Sequence, residues 1–181
     1  MIPGPARRDG ALVAECPQLQ SKPLLFVDID GVISLWGFDS NDRPAGAFHS
    51  VDGVMHFLSS DAGLHLLALA DGFELVWCSG WEEKADEHLP HALALPGGLP
   101  FLSFPLNPVR ANGHPKLAAI DEHAGPRRPL AWIDDAHDEA CRAWAEARAA
   151  PLLVATTPAV GLTAAHADEL TAWAAATAGA R

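Results

Sequence analysis

Four short apolar runs, each cut off by polar residues at its C-terminal end, constrain this chain more than any other feature. Leu24-Leu25-Phe26-Val27 stops at Asp28-Ile29-Asp30-Gly31, and Phe73-Glu74-Leu75-Val76-Trp77-Cys78 stops at Ser79-Gly80. Leu130-Ala131-Trp132-Ile133 stops at Asp134-Asp135, and Leu152-Leu153-Val154-Ala155 at Thr156-Thr157. Unbroken apolar runs of this length read as strands buried on both faces. A weaker run at 100–104, edged by Pro, reads as a fifth.

Helical periods fill the gaps. Residues 61–70 place Leu64, Leu67 and Ala68 on one face behind a Ser59 or Ser60 cap, and 82–89 run up to Pro90, which ends or kinks a helix. Residues 115–123 open with Pro at a first turn. Residues 136–148 align Ala140, Cys141, Trp144 and Ala147, and 163–176 align His166, Leu170 and Trp173 behind a Thr cap. Strands alternating with helices predict an α/β fold: three layers, a parallel sheet of about five strands, helices on both faces. Right-handed crossovers then bring the strand C-termini to one edge, where open α/β sheets bind ligands.

Residues 32–58 interrupt the alternation. Two apolar limbs flank Asp39-Ser40-Asn41-Asp42-Arg43-Pro44-Ala45-Gly46, which predicts a β-hairpin flap with a polar tip, too small for a cap domain. Residues 1–21 lack periodicity and read as a flexible leader, with 22–181 as a single domain.

Composition sets the outer limits. With 49% hydrophobic and 19% charged residues in 181, the chain is globular and long enough for its own core. A net charge of −11 argues against a general basic surface for gripping nucleic acid, though a local groove is compatible with it. Cys16, Cys78 and Cys141 form no C-x-x-C pair, so neither a disulfide framework nor a cysteine zinc site is expected. His88 and His91 approach helical pair spacing, but Pro90 between them argues against a histidine zinc site. With no signal-like or membrane-length apolar segment, a cytoplasmic protein without a membrane partner is expected.

Asp28, Asp30, Asp134 and Asp135 converge on the same sheet edge. Two carboxylates about 4 Å apart repel by on the order of 4 kcal/mol at an effective dielectric near 20, so the group calls for a cation. The candidate ligands are all oxygens, which favours Mg2+ over Zn2+.

Asp28-Ile29-Asp30-Gly31-Val32-Ile33 resembles motif I of the haloacid dehalogenase (HAD) superfamily, Asp-x-Asp-Gly-x-x after the first strand of a Rossmann-like sheet. Ser79 matches the Ser/Thr of motif II, Lys116 the Lys of motif III, and Asp134-Asp135 the acidic pair of motif IV, in order over residues 24–135. The pattern also looks, more loosely, like the HAD domains of bacterial RNA-repair proteins.

The resemblance implies a Mg2+-dependent phosphatase. Asp28 is then the nucleophile that forms an aspartyl-phosphate, and Asp30 the acid and base that protonates the leaving oxygen and later activates water. Ser79, the backbone near Gly80, and Lys116 hold the phosphoryl oxygens. Asp28, the carbonyl of Asp30, Asp134 and Asp135 hold the metal. Plainer readings stand beside these: Ser79 and Asp135 as helix caps, Lys116 as a solvated lysine with Arg110 in its place. Trp81 is a substrate wall or a packing residue, His114 a substrate contact or an incidental loop residue. The 157–163 loop reads chiefly as the entry to the last helix.

A flap without a cap leaves the site open. In the superfamily, such members act on macromolecules, polynucleotide ends and phosphoproteins among them, or close the site by oligomerising. The alternatives are a small-molecule phosphatase closed by dimerisation and a phospho-ligand binding domain without turnover. Of the basic residues, Arg43, Arg110 and Lys116 are the ones expected near that edge.

Overall fold

The four runs form one parallel sheet in the computed structural model, which describes residues 22–104, 114–148 and 151–179. The leader at 1–21, Cys16 and Arg110 lie outside the described residues. The elements run β1 (Leu24–Val27), β2 (Ser34–Leu35), β3 (Gly46–Val51), β4 (Val54–Ser59), α1 (Ser60–Leu69), β5 (Glu74–Trp77), α2 (Glu83–Leu93), α3 (Leu117–Ala124), β6 (Leu130–Asp134), α4 (Glu139–Ala147), β7 (Leu152–Ala155) and α5 (Ala164–Gly179). The main sheet has the order β5-β1-β6-β7. Every neighbouring pair in it is parallel.

Successive strand residues point to opposite faces. Leu25, Val27, Leu75, Trp77, Ala131, Ile133 and Val154 pack against α1, α2 and α5 through Leu66, Leu69, Ala85, Leu89 and Leu170. Leu24, Phe26, Val76, Cys78, Leu130 and Trp132 pack against α3 and α4 through Ile120, Ala124 and Cys141. This is the expected Rossmann-like three-layer arrangement, with β1 and its acidic end at the centre.

Among the described residues four strands stand in the main sheet, where about five were expected. The 100–104 run touches β5 at a single parallel bridge, Trp77 with Phe101, held by Trp77 N–H to Pro100 O (2.8 Å) and Leu102 N–H to Trp77 O (2.9 Å). Pro100 brings no N–H, so the pairing does not extend.

The flap differs more. It is a three-stranded antiparallel sheet in the order β2-β4-β3, and its tight turn lies at Asp52-Gly53 rather than at 39–46. Both turn residues have positive φ (50° and 81°), the requirement of a type I′ hairpin. The polar 39–46 stretch connects β2 to β3. Lys84 of α2 pairs with Asp52 and ties that turn to the body of the protein.

Helix boundaries shift for physical reasons. Ser59 caps α1 by accepting from Ala62 N–H (3.2 Å), but the buried face is Ala62, Gly63, Leu66 and Leu69, while Leu64 and Leu67 are 64% and 36% exposed. Leucines surround this helix, so periodicity did not single out a face. α2 continues through Pro90 to Leu93, because Ala92 and Leu93 pack on the core beyond it. α3 starts after Lys116. α4 starts at Glu139 with Asp138 as its N-cap, accepting from Cys141 N–H (2.9 Å), so Asp135 is not a cap.

Candidate active site

β1 ends directly at Asp28, whose N–H continues the ladder to Ile133 O (3.0 Å) and whose side chain is almost wholly buried. The next residues fold into a tight loop, with Ile33 and Ser34 N–H both donating to Ile29 O (2.8 Å). The buried Thr156 at the end of β7 donates its hydroxyl to Gly31 O (2.9 Å), and Leu162 N–H donates to Val32 O (3.0 Å). The 157–163 loop therefore braces motif I from behind, in keeping with its structural reading.

Gly31 is required here on two counts. Its φ is +74°, and a Cβ placed on it meets Asp135 Cγ at 2.4 Å. The glycine thus lets Asp135 approach the motif I backbone.

Asp134 is fully buried and heavily bonded. Its Oδ2 accepts from Lys116 Nζ (2.7 Å) and Trp132 Nε1 (3.1 Å), and its Oδ1 from Ala136 N–H (2.9 Å). Lys116 also reaches Asp28 Oδ1 at 3.0 Å, so one ammonium bridges two buried carboxylates. Although burial opposes its charge, Asp28 and Asp134 together raise the Lys116 pKa. Burial pushes Asp28 up from 3.8 to about 6; Lys116 works against that rise and Asp134 adds to it. Burial, then Asp134, raises Asp135 as well.

Oxygens of Asp28, Asp134 and Asp135 lie within 4.8 Å of one another. At that separation each pair of ionised carboxylates repels by roughly 3–4 kcal/mol at an effective dielectric near 20, and one lysine does not neutralise three. An all-oxygen donor set with surplus negative charge fits a hard divalent cation.

Asp30 is set apart. Its carboxylate is outside that triad: Oδ2 accepts from Trp81 Nε1 (3.1 Å), and Oδ1 lies 3.8 Å from His56 Nδ1. Trp81 is buried and meets the His56 ring edge-on (centroids 4.6 Å), while Ser34 Oγ lies 3.0 Å from His56 Nδ1. The two motif I acids thus occupy different surroundings, one among charges and one under the flap.

Ser79 is buried just past β5 and Gly80 is exposed beside it. Glu82 occupies the α2 N-cap position without a capping bond from its side chain, which instead accepts from Phe104 N–H (2.8 Å), so Ser79 does not cap that helix. His114 lies edge-on to Trp132 (5.3 Å), and its Nδ1 accepts weakly from Lys116 N–H (3.4 Å). Burial lowers its pKa.

Two histidines escaped the sequence reading. His56 borders Asp30 from the flap, and His137 lies edge-on to Trp132 at 4.5 Å. Both His137 ring nitrogens are buried without a hydrogen-bond partner among the described residues, and burial pulls its pKa to about 4. His137 sits three residues past Asp134, a spacing that signalled nothing by itself.

Residues 24–167 match the family described as the HAD domain in Swiss Army Knife RNA repair proteins. The chain belongs to that family. The match runs from the first residue of β1 into α5 and takes in Asp28, Asp30, Ser79, Lys116, Asp134, Asp135 and the flap. Among curated proteins, none matches the chain. In this HAD domain the thiols of Cys78 and Cys141 are both buried and raised by burial, which makes neither a competing nucleophile.

Proposed function

We propose that this HAD domain is a Mg2+-dependent phosphomonoesterase that works through an aspartyl-phosphate at a phosphorylated polynucleotide end. The observation that carries the reading is the separation of roles between the two motif I acids. Asp28 shares Lys116 with Asp134 in the charged cluster, whereas Asp30 is held by Trp81 outside it. A nucleophile needs to be ionised and beside compensating positive charge; a leaving-group acid needs a different environment.

Asp28 attacks phosphorus and forms the acyl phosphate as the ester oxygen departs with a proton from Asp30. Asp30, left as a carboxylate, then takes a proton from the water that cleaves the acyl phosphate and restores Asp28. Lys116 balances charge on Asp28 and the phosphoryl oxygens, with the Ser79 hydroxyl and the Gly80 backbone on the other side. Asp28, Asp134 and Asp135, with the carbonyl of Asp30, hold Mg2+, which supplies charge stabilisation to the transferring phosphoryl group. Trp81 and His56 orient Asp30. The substrate class rests on the family's connection with RNA repair and on a site bordered by a small flap that leaves the Asp30 side chain half-exposed.

The test is phosphate release with Mg2+ from phosphorylated oligonucleotide ends, phosphopeptides and small sugar or nucleotide phosphates. Highest kcat/KM on oligonucleotide ends is expected. No release from any of them overturns the enzymatic reading, and a preference by orders of magnitude for a phosphopeptide or a small metabolite overturns the substrate class.

A further inference from the structure

A groove of about 390 Å3 starts at Asp30 and runs along the flap, within the range of small-ligand clefts. It is lined by Trp36, Phe38, Phe48, Met55 and Phe57. Phe57 is the buried floor, opposite Phe48 in the β3–β4 register and opposite Leu35 in β2. Phe38 and Phe48 lie over it with centroids at 4.7 and 5.2 Å. Trp36 and Phe48 remain 49% and 57% exposed, and Met55 59%, so the walls offer uncovered ring faces to solvent.

We infer that this groove is the binding site for the nucleobase of the end nucleotide whose sugar carries the scissile phosphate, held by stacking on the flap aromatics. The inference rests on the phosphatase reading in one respect: Asp30 donates to the leaving oxygen, so what enters from Asp30 is the leaving group. The remaining argument is chemical. Flat ring faces with few hydrogen-bonding groups suit a planar π-system and accept any base, as sequence-tolerant single-strand sites do. The Arg43 guanidinium lies 5.6 Å from the Phe57 centroid, above the aromatic floor, where a passing phosphodiester meets it. Asp39 and Asp42 in the same β2–β3 connection oppose a row of phosphates, so the groove suits a base and its sugar rather than a long backbone track. A phosphoserine peptide presents no ring beside its ester oxygen.

The probe is a short oligonucleotide whose phosphorylated end residue carries 2-aminopurine, compared with the same strand abasic at that residue. Binding to Asp28→Asn protein with Mg2+ is followed by fluorescence, by quenching for the first strand and by anisotropy of a distal dye for both. Trp36→Ala and Phe48→Ala, each introduced into that protein, are expected to weaken binding of the base-bearing strand by about 5- to 150-fold, the worth of one stacked base. Phe48→Tyr should retain affinity, and the abasic strand should bind weakly and alike to all variants. Equal affinity for both strands, or no loss in either alanine variant while both remain folded by thermal unfolding, overturns the groove assignment. Wild-type turnover of ribose 5-phosphate, which has no base, reports separately on phosphatase activity. Turnover without base-dependent binding refutes the groove alone, and base-dependent binding without turnover of any ester refutes the phosphatase alone.

Discussion

Asp28 is expected to destabilise the metal-free protein. Its carboxyl is raised from 3.8 to about 6, with burial as the largest cause, so at pH 7.5 the fold holds an ionised group that it disfavours. A displacement of that size corresponds to about 3 kcal/mol. Asp28→Asn removes the charge and keeps the shape, and its amide oxygen still accepts from Lys116, which stands 3.0 Å away. The loss of a partner is the opposing effect, since orphaning a buried lysine costs about 3–5 kcal/mol. Lys116 is not orphaned, because Asp134 remains 2.7 Å from it, so relief of the buried charge wins. Burying the polar amide takes back part of the gain, leaving about 2 kcal/mol, or a Tm higher by roughly 4–8 °C for a domain of this size.

Thermal and urea unfolding of wild type and Asp28→Asn in EDTA measure this directly. The sign follows from proton binding: the folded state holds the Asp28 proton more tightly than the unfolded chain. That stabilisation is complete below 3.8 and is lost as pH rises through about 6. The variant's advantage should therefore be present at pH 7.5 and vanish near pH 3.8. Saturating Mg2+ should reverse the order, since ligand at 100 times its Kd adds about 2.7 kcal/mol to the state that binds it, and the variant has lost a ligand. A variant as stable as or less stable than wild type in EDTA at pH 7.5 refutes the reasoning, as does an advantage that persists unchanged at pH 4.

Phosphatase activity should disappear in EDTA and return with Mg2+, whereas Ca2+, with its larger and looser shell, should restore little; steady-state rates against each ion check this. Asp30→Asn should retain turnover of an aryl phosphate, whose leaving group needs little protonation, and lose at least about 100-fold on an alkyl phosphate; equal losses on both contradict the acid role. Gly31→Ala should cost about 1–2 kcal/mol from its positive φ and, by displacing Asp135, weaken Mg2+ binding roughly tenfold or more in calorimetric titration. His137, held by burial near pKa 4, should stay neutral across the range where an ordinary histidine titrates; ring NMR shifts with a midpoint near 6.5 would contradict its buried placement.

The parts visible in the sequence are those where one residue type answers to one physical demand. Apolar runs ending in Asp or Ser locate β1, β5 and β6 and put Asp28 and Asp134 at one edge, and the resemblance to motif III adds Lys116, which the structure brings within hydrogen-bonding reach of both. The flap lies where the sequence places it, but its tight turn is at Asp52-Gly53 and not in the longer polar stretch at 39–46; Asp-Gly between alternating residues is the stronger short-range hairpin signal. The buried face of α1 is not legible from its leucines, which lie all around it; packing of Ala62, Leu66 and Leu69 on the core and the close approach of Gly63 to Leu93 decide it.

The surroundings of Asp30 had no local signal at all. Trp81 lies 51 residues along the chain, and His56 reaches Asp30 only because β4 pairs with both β2 and β3. A three-stranded flap whose Leu35, Val51, Phe57 and Leu58 are buried has little freedom to act as a loose hairpin lid. It is better understood as a fixed wall that sets Asp30 through His56 and Trp81 on its inner side and offers Trp36 and Phe48 to the leaving group. Asp30, in the loop after β1, and the exposed flap aromatics are thus held next to one another by the same small sheet, which touches Asp30 through Ser34 and His56. A change in the flap should alter leaving-group preference before it alters attack by Asp28, whose surroundings among the described residues include Lys116, at the N-cap of α3, and Asp134, at the end of β6.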